Sequence, residues 1–162
     1  MASQVAQGAQ EAPAREALRK IFLAMLDEGL ARPGVVEAVE AKVSDRAVEV
    51  YVMARYAYVL LSYREGAGYE AEAGPLVVAS HFVGLYYAPV RFKFEVKGRT
   101  AKEAIEALRG AVKERMPGLD EAVRTLREAA YGVGTELLRG ALDVVDVTDT
   151  ALREIKNMLG IE

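Results

Sequence analysis

The aromatic residues of this chain crowd into one stretch, and that crowding divides the molecule. Seven of the eight tyrosines, Tyr51, Tyr56, Tyr58, Tyr63, Tyr69, Tyr86 and Tyr87, lie between residues 51 and 87. Phe82, Phe92 and Phe94 fall in or just beyond the same region. The flanks are rich in Ala, Leu, Glu and Arg, which favour exposed helix. Aromatic and β-branched residues favour pleated, half-buried surfaces. The pattern predicts an α+β domain. Helices from both termini pack together, with a small antiparallel sheet contributed by the middle of the chain at about residues 69–97.

At 162 residues, a single domain spanning 13–162 has room for a sizeable core. Residues 1–12 read as a mobile Ala/Gln arm. Met1 to Gln10 lacks the basic and apolar regions of a signal peptide. A net charge of -3 argues against a broad basic surface that would hold duplex nucleic acid. With no cysteine there is no disulfide, thiolate nucleophile or Cys-based zinc site. Arg outnumbers Lys, Glu outnumbers Asp, and there is one asparagine, Asn157, which together fit a thermophile. The longest uncharged stretch, Ala73 to Val90, is punctuated by Gly74, Pro75, Gly84 and Pro89. It therefore reads as buried strands and turns rather than a membrane span. A cytoplasmic protein is expected.

Hydrophobic spacing predicts a first helix over about Pro13 to Leu30, ended by Gly29. Val36, Val39 and Val43 recur at helical spacing. Ser44-Asp45 would then cap a second, largely buried helix to Tyr63. The Val and Tyr content of 47–63 favours a strand pair instead, but no Gly, Pro or Asn supplies a turn before Gly66. The missing turn decides for helices, with the strand pair as the alternative. Short strands are expected at Leu76–Ser80 and Leu85–Tyr87. The clearest strand is Val90 to Val96, with Val90, Phe92, Phe94 and Val96 on one face and Arg91, Lys93 and Glu95 on the other. Thr100 and Glu103 form a capping box for a helix to about Met116, ended by Pro117-Gly118. Further helices are expected at about Leu119–Leu142 and Thr148–Leu159.

Four constellations carry chemistry. His81 follows Ser80 in an expected strand, so the two side chains point apart and make no nucleophile–base pair. A hydrogen-bonded histidine near the core is the plainer expectation. Asp143, Asp146 and Asp149 could converge on a divalent cation, or cap the last helix from a loop. Gly132-Val133-Gly134-Thr135 lacks the lysine of a phosphate loop and reads as a helix break. The best cluster is Arg91, Lys93, Lys97, Arg99 and Lys102, with Tyr86 and Tyr87 nearby. Basic residues interleaved with aromatics suit single-stranded nucleic acid. The competing account is a solvated sheet face with ordinary tyrosine packing.

These residues predict a non-enzymatic interaction or structural subunit, acting in a homo-oligomer or with a protein partner through exposed tyrosines. No cofactor is expected. A subunit that touches single-stranded nucleic acid is the first alternative. A metal-dependent enzyme built on Asp143, Asp146 and Asp149 is the second.

Overall fold

The protein is described by a computed structural model covering residues 2–76, 92–131 and 135–161. Among these residues, three helices, α1 (Ala2–Glu28), α2 (Ala101–Ala130) and α3 (Thr135–Leu159), accompany five strands. The strands are β1 (Ala38–Val43), β2 (Ala47–Met53), β3 (Ala57–Arg64), β4 (Gly68–Pro75) and β5 (Phe94–Gly98). They pair antiparallel in chain order, β1-β2-β3-β4-β5. The middle of the chain thus forms the sheet of an α+β fold. That sheet starts at residue 38, earlier than the expected 69.

Both helices expected between residues 34 and 63 are strands. Val48, Val50 and Val52 of β2, and Ala57, Val59 and Leu61 of β3, alternate with half-buried neighbours. Ser44 caps no helix; its amide donates to the Ala47 carbonyl at 2.9 Å and closes the β1–β2 turn. The β2–β3 turn explains why the strands were hidden. Its two central residues are Arg55 and Tyr56, and among the described residues no non-glycine adopts a positive φ. It is therefore not one of the Asn/Gly-dependent hairpin turns. Instead, the amides of Arg55 and Tyr56 each donate to a carboxylate oxygen of Glu154 on α3, both at 2.8 Å. The turn signal lies about a hundred residues downstream.

One face of the sheet is covered by the three helices. Val48, Val50, Val52, Val59, Leu61, Ala71, Ala73 and Phe94 form the sheet side of a single apolar cluster. Ile21 and Met25 of α1, Ile105, Leu108 and Val112 of α2, and Leu152 and Ile155 of α3 form the helix side. Gly29 (φ +67°) ends α1, with the Leu30 amide donating back to the Met25 carbonyl, as a left-handed C-terminal residue allows. The backbone of α1 already begins at Ala2, within the segment expected as an arm, and Pro13 lies inside it.

α2 runs through Pro117, where a stop was expected. A helix-interior proline costs about 3 kcal/mol. Leu119 and Val123 beyond it are buried, and each such side chain gains about 1.5–3 kcal/mol. Their burial outweighs the lost bond. The helix expected over 119–142 is divided: α2 stops at Ala130, and α3 starts at Thr135. The loop expected around Asp143 is helical. Val145, Thr148, Leu152, Ile155 and Leu159 make one buried stripe, and that stripe overrides the poor helix propensity of the valines and threonine. The capping box at the start of α2 forms as expected. The Glu103 amide donates to Thr100 Oγ1 at 3.1 Å, and the Glu103 carboxylate accepts from the Arg99 amide at 2.9 Å.

Arg109 of α2 ties the two terminal helices together. Its guanidinium donates to the Leu159 carbonyl at 2.8 Å and to Glu28 Oε2 at 2.9 Å. A cation at two helix C-termini complements both dipoles. Among the described residues, no helix is long and apolar enough to cross a membrane.

Candidate functional site

The opposite sheet face is not covered by the helices. Period-two alternation puts the residues between the core positions there, and the strand register arranges them in cross-strand rows. Lys42, Glu49, Ser62, Glu70 and Lys97 form one row. Glu40, Tyr51, Leu60, Glu72 and Glu95 form the next. Met53, Tyr58 and Gly74 follow. A hollow of about 550 Å³ lies over the first two rows, lined by Glu49, Leu60, Ser62, Glu70, Glu72 and Lys97 among others.

Tyr58 organises the middle of this face. Its ring lies against Gly74, where a Cβ would stand 3.2 Å from the hydroxyl, so the glycine makes room for the ring. The hydroxyl then donates to Glu72 Oε2 at 2.5 Å. Burial pushes the Tyr58 phenol well above its usual range, and the hydrogen bond to Glu72 adds to it. The phenol thus remains a proton donor at neutral pH. Tyr51 sits 6.4 Å away, centroid to centroid, and its phenol is raised as well, first by burial and then by Glu49.

Glu72 and Glu95 stand directly opposite each other, a like-charge arrangement that would repel if left alone. Lys93 bridges them, with Nζ at 2.8 Å from Glu95 and 3.4 Å from Glu72. Glu95 holds the Lys93 ammonium above its ordinary value, helped by Glu72, and Lys93 holds the Glu95 carboxyl below its own. Lys97 pairs with Glu70 at 3.8 Å, and Lys42 lies 5.4 Å over the Tyr51 ring. The face therefore mixes both charge signs around a tyrosine and leucine centre.

The residues expected as a basic cluster are only partly assembled. Lys93 and Lys97 do reach one face, but each is engaged by glutamates. Arg99 follows β5, and Lys102 sits in the first turn of α2; both are exposed. Arg91, Tyr86 and Tyr87 lie outside the described residues, as do His81, the strand expected at Leu85–Tyr87 and all but Leu76 of the strand expected at Leu76–Ser80. The Gly132–Gly134 segment also lies outside them. Asp146 pairs with Arg127 at 2.9 Å, and Asp149 with Arg153 at 2.9 Å. Among the described residues, no three His, Asp or Glu side chains are grouped to hold a metal ion.

Sequence reasoning missed Tyr58, Leu60, Glu70 and Glu72 as members of one surface. The available signal was the alternation of Glu49, Tyr51 and Met53 with three valines. A hairpin turn without a glycine concealed it. No family model matches the chain, and neither a curated protein nor a solved structure matches it. The function must come from the chemistry of the face itself.

Proposed function

We propose that this protein is a non-enzymatic interaction subunit that docks a segment of another protein on the sheet face that the three described helices leave open. The observation that carries the reading is the hollow over Leu60 and Glu72, flanked by Tyr51 and Tyr58. Tyrosines offer large, rigid contact area at small entropic cost, and they are enriched at protein interfaces. Two cations of the face, Lys93 and Lys97, are partnered by its own carboxylates, an arrangement that suits a polypeptide carrying both charge signs better than a phosphate backbone.

A photo-crosslinking residue at position 60 of the full chain, expressed in its own host, tests this. One discrete protein adduct is expected. It should persist after nuclease treatment, disappear in a Tyr58→Ala variant, and be absent with the crosslinker at Arg153 on the outer side of α3. No adduct at position 60, or one removed by nuclease, would overturn the reading.

A further inference from the structure

The other unusual surface is the sheet's edge. β1 is a six-residue edge strand whose residues are all exposed. Val39, Ala41 and Val43 point to the helix side of the sheet, in register with Val52, Val50 and Val48. Those partners are 0% exposed, whereas Val39 is 41% and Val43 52% exposed. α1 begins to flank this edge where Ala14 and Arg15 border a cleft with Val43, Ser44 and Asp45. Phe22 and Leu26 lie seven and eleven residues beyond Arg15 on the same helical flank, and both are exposed. Val39, Ala41 and Val43 thus form an apolar strip on a strand edge that pairs with no other strand among the described residues. Natural edges are usually blunted by charge, proline or bulges; the two charges of β1, Glu40 and Lys42, lie away from the helices, and its helix-side positions are all apolar.

The backbone of β1 is also oriented for pairing. The Ser44 amide bonds to Ala47 across the turn, so alternate residues Lys42, Glu40 and Ala38 turn their backbone groups toward β2. Val39, Ala41 and Val43 turn theirs outward. Any antiparallel partner must bond to those three residues.

We infer that the partner is a second copy of this chain, joined β1 to β1 about a two-fold axis through Ala41. In that register Val39 faces Val43 of the second copy, and Ala41 faces Ala41, on the helix side. On the uncovered side Glu40 faces Lys42, twice over by symmetry. The outward backbone groups meet as three hydrogen-bonded pairs, which exchange about six bonds. A shift of two residues either way places Glu40 opposite Glu40 or Lys42 opposite Lys42, and like charges directly opposite destabilise a strand pair. Charge selects a single register, and two-fold symmetry makes it closed. The result is a ten-stranded sheet. This inference does not rest on the partner proposed for the sheet face.

Charge reversal tests it by analytical ultracentrifugation of the full chain over a concentration series. The wild type is expected to dimerise. Glu40→Lys and Lys42→Glu should each weaken the dimer by about tenfold or more, since each creates two like-charge contacts. An equimolar mixture of the two variants should dimerise again, because every contact is then Lys against Glu. Ala41→Pro should yield a folded monomer, because the amide it removes faces outward and an edge strand tolerates proline there. Circular dichroism confirms that each variant is folded. A wild type that stays monomeric throughout the series, single variants that dimerise as the wild type does, or a mixture that fails to recover would each overturn the inference.

Discussion

Replacing Glu154 by alanine should loosen a hairpin that lies about a hundred residues away in sequence. The Glu154 carboxylate accepts two backbone hydrogen bonds at 2.8 Å, from Arg55 and Tyr56. Buried bonds to a charged group contribute about 1.5–3 kcal/mol each. Arg55 is exposed and Tyr56 half-buried, so water competes for both amides. About 1 kcal/mol per bond is the appropriate scale, or about 2 kcal/mol together. In a chain of this length 1 kcal/mol moves the melting temperature by about 2–4 °C, so Glu154→Ala should lower it by about 4–8 °C. Glu154→Gln keeps one acceptor oxygen and should lose about half as much. Arg153→Ala, one residue away in an exposed pair with Asp149, serves as control and should cost at most about 0.5 kcal/mol. Calorimetry measures the melting temperatures, and amide hydrogen exchange at Arg55 and Tyr56 locates the effect. A Glu154→Ala protein that melts within about 1 °C of wild type, with exchange at those amides unchanged, would refute the long-range turn.

Three further outcomes follow from the packing. A methyl group at Gly98 would run into the backbone of Glu103 and Ala104 at the start of α2, so Gly98→Ala should destabilise by about 1–3 kcal/mol in urea titration. Arg109→Met leaves Glu28, only 14% exposed, without its guanidinium and frees the Leu159 carbonyl. A loss of about 2–3 kcal/mol is expected, below the range for fully buried pairs because some water reaches the site, and Arg109→Lys should recover only part of it. The folded Tyr58 phenol binds its proton more tightly than the unfolded one, so stability should fall as pH rises past the ordinary tyrosine value of about 10. The fall should be smaller in Tyr58→Phe, and denaturation of both proteins at pH 9 and pH 11 measures the difference.

Local signals carried much of the helical part of this fold. Gly29 stops α1 as its position implies, Thr100 and Glu103 cap α2, and Phe94, Glu95, Val96 and Lys97 alternate as a half-buried strand should. Three features were illegible because their causes are not local. The β2–β3 turn depends on a carboxylate from α3. α2 passes Pro117 because the core rewards Leu119 and Val123 beyond it. The Asp143–Asp149 stretch is helical because a buried stripe outweighs its composition. The candidate surface was misjudged for a related reason. The lysines at 93 and 97 look like a basic patch along the chain, and only the strand register shows Glu70, Glu72 and Glu95 around them.

Arg109 is fastened to the ends of α1 and α3, so its contacts are completed late during synthesis. Each strand pair described joins neighbours along the chain, apart from the longer step from β4 to β5, so the sheet has low contact order and its hairpins close early. Its apolar face is finished only when α2 and α3 arrive. From Gly98 to Leu159 is roughly 60 residues, which a ribosome adding about 5–20 per second takes on the order of 3–12 s to deliver. During that interval, among the described helices, α1 alone is in place to cover the valines of β2, and Glu154 has not yet reached the turn it holds. A chain truncated shortly before Glu154 would therefore present an unlocked hairpin and a half-covered sheet, the kind of surface that chaperones and proteases recognise.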